Sequence, residues 1–162
     1  MNSCFKIRLV ASLSKIIAAG HTLAEEVALQ WGRDHGLSGC RSSQFDARRC
    51  GLVRGFSGEK VLSRCLETLL QNVTDSDATL LVSISPELGP EQKKAIEFLG
   101  ATKKPFLHLW SSIPQPGRLV GRFLELHKVE VLNVVGGSPK DDEATGTFIR
   151  SVIDTMMLST HL

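Results

Sequence analysis

Tyrosine is absent from this chain, and its aromatic complement is seven Phe and two Trp. So small a set of flat side chains gives little for bases to stack on, which argues against single-strand nucleic-acid binding. Charge of one sign is lacking too. Nineteen Lys and Arg stand against seventeen Asp and Glu, a net charge of +2 over 162 residues. That surplus supplies neither the basic footprint of a nucleic-acid binder nor attraction to a membrane surface. No apolar run approaches the roughly 20 residues that a bilayer-spanning helix needs. The start does not read as a secretory leader, because Lys6, Arg8 and Lys15 interrupt its apolar part. Four cysteines are present, Cys4, Cys40, Cys50 and Cys65, with no C-x-x-C pair among them. They read as reduced thiols of a cytoplasmic protein. A zinc site from Cys40, Cys50 and a histidine matches no common ligand spacing.

What is there is an ordinary globular composition, 42% hydrophobic and 22% charged, long enough to build a proper core. A single domain over residues 1–162 is expected, with residues 1–14 as an extension that reads equally as strand, helix or a segment partly outside the fold. The most informative stretch is residues 16–36, IIAAGHTLAEEVALQWGRDHG. An apolar run breaks at Gly20. Thr22 then stands as a helix N-cap, with Glu25 at the capping-box spacing. Leu23, Val27, Ala28 and Trp31 share one helical face, and Gly36 supplies the stop. A strand, a tight turn and a helix start form the basic anion-binding unit of α/β proteins, because unpaired N–H groups and the helix dipole face outward there. Only Gly20 stands where phosphate loops commonly carry two or three glycines.

The rest of the chain continues the alternation. A first strand is predicted over 16–19, a helix over 22–35 and a short strand over 37–40. Residues 41–57 have no period and carry Arg41, Arg48, Arg49 and Arg54, a long connection of the kind that often serves function. Helical spacing marks 58–72, where Val61, Leu62, Leu66 and Leu69 recur. The run 78–84 reads as a strand covered on both faces. A helix from Pro90 to about 102, a strand over 105–109, a helix over 116–127, a strand over 129–135 and a helix over 145–158 follow. Phe148, Val152, Ile153 and Met156 are expected to face inward from the last. Apolar strands alternating with helices predict an α/β fold, a doubly wound, mainly parallel sheet with helices on both faces. Ligands of such folds bind beyond the carboxyl ends of the strands at a switch point. The segments to watch are therefore 20–23, 83–89, 110–117 and 136–146.

Several segments carry a resemblance. They are NVTDSDATLLVS at 72–83, KPFLHL at 104–109 and LNVVGG at 132–137, joined by the KII strand at 15–17 and by Gly20, His21 and Thr22. Together they resemble the putative molybdenum carrier family, which groups with the Rossmann-like phosphoribohydrolases once called lysine-decarboxylase-like. The resemblance spans about residues 15–158. It implies a Rossmann-like fold and, as ligand, molybdenum cofactor, a pterin with a phosphate tail. The family's first loop has the form S-G-G-Q-T-G-V-D. Here Gly20 and Thr22 are kept, Ala19 and Leu23 replace glycines, His21 replaces the glutamine and Glu25 the aspartate. A second turn, G-G-T in the family, falls on Pro90, Glu91 and Gln92. Of the family's C-P-x-G-R segment only Cys40 remains. The phosphoribohydrolase pattern P-G-G-x-G-T-x-x-E has no counterpart in 85–97. The expectation is a non-enzymatic binding or carrier protein for a phosphorylated small molecule, with molybdenum cofactor as candidate. A phosphoribohydrolase-like enzyme and a ligand-free structural homologue are the alternatives. A homo-oligomer is expected, with no nucleic-acid and no membrane partner.

The candidate cofactor-binding residues are Gly20, His21, Thr22, Ser83, Ser85, Gly136 and Gly137. An unperturbed imidazole titrates near 6.5, so a histidine at position 21 can meet an anion. Thr22 reads as a helix cap or as a phosphate contact. Ser83 and Ser85 follow the central strand, and Gly136 and Gly137 permit close backbone approach. No catalytic residue and no metal ligand is assigned. Asp75 and Asp77 read as turn residues bonding local N–H groups, and His108 as a hydrogen-bonded core histidine. Asn133 is expected to fix neighbouring backbone or to report to the cleft. Lys93, Lys94, Lys103 and Lys104 read as solvated helix faces and ends. Glu91 is expected to oppose a bound anion across the cleft.

Overall fold

The structure is a computed structural model and describes residues 13–20, 22–37, 41, 42, 59–137 and 139–159. Five parallel strands make one sheet in the order β2-β1-β5-β3-β4. They are β1 (Lys15–Ala18), β2 (Arg41–Ser42), β3 (Ala78–Val82), β4 (Phe106–Leu109) and β5 (Val131–Gly136). The helices are α1 (Leu23–Asp34), α2 (Glu59–Asp75), α3 (Pro90–Thr102), α4 (Pro116–Leu126) and α5 (Asp142–Ser159). This is the doubly wound α/β arrangement expected from the alternation.

Period-two geometry sorts the core into layers. Leu80, Val82, Leu132 and Val134 pack with Ala28 and Trp31 of α1, Val120 and Leu124 of α4, and Ile149 and Val152 of α5. Leu81 and Val135, offset by one, point the other way, against Leu69 of α2 and Ala95 of α3. Chain direction explains the division. β1 to β2 and β4 to β5 step one way across the sheet, over α1 and α4. β2 to β3 and β3 to β4 step the other way, over α2 and α3. Crossovers of one hand require opposite steps to use opposite faces. Among the described residues, no helix is long and apolar enough to cross a membrane.

Several expectations need correction. The described part of the second strand is Arg41–Ser42, past the predicted 37–40, of which 38–40 lie outside the described residues. Leu37 still closes α1, its N–H donating to the Gly32 carbonyl at 2.9 Å. β5 begins at Val131 because Val129 N–H closes α4 on the Leu124 carbonyl at 3.0 Å. α5 begins at Asp142, earlier than 145, with Asp142 and Glu143 in its first turn, where acids suit the dipole. Asp77 does not bond local N–H groups. Its Oδ2 accepts from Glu130 N–H at 3.0 Å and Val131 N–H at 2.9 Å, tying the amino ends of β3 and β5 together. Lys104 is no solvated end either. Its ammonium donates to the carbonyls of Val73, Thr74 and Ser76 at 3.0, 2.5 and 2.6 Å, closing the carboxyl end of α2.

Candidate functional site

β5 lies between β1 and β3, so the carboxyl ends of these three strands open side by side at the switch point. Three segments meet there: the turn after β1, the loop from β3 to α3, and the 3₁₀ turn Pro139–Asp141 that leads into α5.

Gly20 takes a φ of 80°, a left-handed value that lets the chain turn off β1. Thr22 then caps α1, accepting from Glu25 N–H at 3.3 Å. Glu25 is 1% exposed. Its Oε1 accepts from Gly20 N–H at 3.1 Å, and its Oε2 from the Thr22 hydroxyl at 2.7 Å and from Gly136 N–H at 3.0 Å. Leu23 N–H, first in the helix, donates to Asp142 Oδ1 at 2.8 Å. The end of β5 has to approach this closely. A Cβ on Gly136 would fall on Thr22 Oγ1, so the position admits only glycine. On the far side of the turn, a Cβ on Gly146 would meet Leu23 Cγ at 2.7 Å.

Across β5, Gln92 organises the second loop. Gly89 caps α3, Pro90 fills the first helical position, and Gln92 is the third. It is fully buried. Gln92 Nε2 donates to the carbonyls of Val82 at 3.0 Å and Val135 at 3.3 Å, which fixes the amide's orientation. Its Oε1 accepts from Gly89 N–H at 3.0 Å and from the Ser83 hydroxyl at 2.9 Å. Ser83 therefore has its proton engaged, and the contact from His108 Nε2 at 3.0 Å is one in which the histidine donates. Burial lowers the His108 pKa below its ordinary value and favours the neutral ring. A serine whose proton points at an amide oxygen, away from the imidazole, is not set up as a nucleophile–base pair.

Between the β3–α3 loop and the 3₁₀ turn with the start of α5 lies a cleft of about 460 Å³, lined by Ser83, Ser85, Glu87, Gly89, Lys140, Asp141 and Thr145 among others. The volume falls in the range of small-molecule sites. Lys140 brings a cation, Ser85 a hydroxyl, and Glu87 and Asp141 acceptors, while the buried Thr145 hydroxyl donates to the Asp141 carbonyl at 2.7 Å. Among the described residues, no group of three His, Cys, Asp or Glu could hold a metal ion.

The residues singled out from the sequence fall into two sets. Gly20, Thr22 and Gly136 gather round Glu25. Ser83 and Ser85 line the cleft, and Gly137 lies between, where a Cβ would come 3.3 Å from the Val82 carbonyl oxygen and 3.5 Å from Ser83 Oγ. His21, Cys40, Cys50, Arg48, Arg49 and Arg54 lie outside the described residues. Glu91 stands half-buried on the first turn of α3 and does not line the cleft. Asn133 sits mid-strand, its Nδ2 donating to Thr79 Oγ1 at 3.2 Å, away from the cleft. Sequence reasoning missed Gln92, Lys140 and Thr145. For Gln92 a signal existed, since Gly89 and Gln92 have capping-box spacing.

No protein-family model matches the chain, and no curated protein matches it. Among solved structures it is similar to the putative molybdenum carrier protein of Syntrophus aciditrophicus SB, with a TM-score of 0.67 and 21% identity. The match covers 89% of this chain and 94% of that one. At this identity the likeness establishes the fold, which the chain shares with a protein bearing the carrier name.

Proposed function

We propose that the chain is a non-enzymatic binding or carrier protein for a phosphorylated small molecule, with molybdenum cofactor as the candidate ligand. The observation that carries the reading is the polar cleft of about 460 Å³ beyond the carboxyl ends of the strands, where folds of this kind take their ligands. Its donor set fits a phosphorylated heterocycle. Lys140 meets the phosphate as a compact cation. Ser83 lies on its wall, Ser85 offers a hydroxyl, and Glu87 and Asp141 accept from ring N–H groups. Gly20, Thr22 and Gly136 gather round Glu25 and do not line the cleft. The carrier name of the structural neighbour favours molybdenum cofactor over other members of the class. A carrier reading is favoured over catalysis because the Ser83 proton is directed at Gln92. The same proposal includes a homo-oligomer in the cytoplasm, which sedimentation velocity would check at the level of assembly.

The test is to unfold the purified protein, oxidise the released small molecules and look for a phosphorylated pterin by fluorescence and mass spectrometry. Lys140→Ala should lower the recovered amount about tenfold or more, the effect of losing one charge-assisted contact. A phosphorylated compound without a pterin would keep the site and change the ligand. No phosphorylated compound from either protein would favour the ligand-free homologue.

A further inference from the structure

We propose that the first loop of this protein carries its own anion. The Glu25 carboxylate is an intramolecular ligand that takes the convergent donors between β1 and β5 and keeps an external oxyanion away from them. The observation is the direction of its bonds. In an ordinary capping box the glutamate folds back on the N-cap of its own helix. Glu25 reaches past Thr22 to Gly20 N–H at 3.1 Å and across the sheet to Gly136 N–H at 3.0 Å, with the Thr22 hydroxyl at 2.7 Å as a third donor. Two of its donors are backbone groups of different segments, the turn after β1 and the last residue of β5, the class of group that would otherwise meet a phosphate. Asp142 holds the next donor, Leu23 N–H, at 2.8 Å. A carboxylate that is 1% exposed is kept in its place by such bonds. An external phosphate would have to take these donors from it and leave a buried carboxylate without them.

The consequence reaches beyond the cleft and does not depend on which molecule occupies it. An anionic ligand of this chain places its charge on the Lys140 side of β5. The donors around Glu25 form a latent site for a small carboxylate, which opens only when the Glu25 side chain is removed.

Two measurements test this. In the unaltered protein, the Gly20 amide resonance should stay in place as inorganic phosphate is titrated at constant ionic strength. A saturable movement of that resonance would overturn the proposal. In Glu25→Ala, formate should raise the thermal midpoint by about 2 °C or more beyond equal sodium chloride, as mass action at a vacated carboxylate site requires, while the unaltered protein shows no such excess. An equal response of both proteins, or none in the variant, would count against it. Should Glu25→Ala fail to fold, the phosphate titration of the unaltered protein decides by itself. Neither measurement uses Lys140 or pterin release, so failure here and failure of the carrier reading are separate results.

Discussion

Gln92 shows how one buried amide can set a site. Its four hydrogen bonds join the ends of β3 and β5 to the start of α3, and they also determine the role of Ser83. Gln92→Leu keeps the volume and removes every partner, so Ser83 and Gly89 N–H lose their acceptor inside the protein. We expect a loss of about 2–4 kcal/mol in urea unfolding; a change within experimental error would mean the network is incidental. His108 gives a pH dependence of definite sign. Burial lowers its folded pKa below the unfolded value of about 6.5. The unfolded chain therefore takes the proton first. This contribution to stability is complete above about pH 6.5 and is lost as pH falls through the lowered folded value. His108→Gln should flatten the fall in urea midpoint over that acid range relative to the parent. An unchanged slope would assign the titration elsewhere.

At the scale of elements, the fold depends on side chains that join segments distant in the chain. Lys104 follows α3 and closes α2. Asp77 precedes β3 and holds the start of β5. Lys104→Met keeps the apolar stem and removes the ammonium from the carboxyl end of α2. The expected cost is about 1–2 kcal/mol, the size of a charge-assisted cap at a half-buried helix end, read as a lower thermal midpoint with α2 amides exchanging faster than those of α1. Uniform acceleration in both helices would show that the cap acts only through global stability.

For the whole molecule, the arrangement of loops bears on activity. The turn that carries paired glycines in the phosphoribohydrolase pattern holds Pro90, Glu91 and Gln92 here. Pro90 has no N–H to offer, and the Gln92 side chain turns into the protein. We expect no enzyme-dependent release of free base from nucleoside monophosphates. Release that disappears on substitution of Lys140 or Ser85 would replace the carrier reading with an enzymatic one.

How much of this was legible in the sequence depended on the range of the interaction involved. Periodicity is local, so the alternation of strands and helices, the parallel sheet, the Thr22 cap and the Gly36 stop could all be read from neighbours along the chain. Boundaries were off by a few residues where a helix closes on a carbonyl beyond its last periodic position, as at Leu37 and Val129. For the candidate cleft, the sequence pointed to the segments 83–89 and 136–146 that border it but not to the contacts within it. Glu25 looked like a capping residue because its distant partner, Gly136, becomes a neighbour only when β5 inserts beside β1. Gln92, Lys140 and Asp77 were likewise decided by tertiary structure. Which donor a buried carboxylate or amide meets depends on strand order, and strand order is fixed by packing across the whole sheet, not by any local pattern.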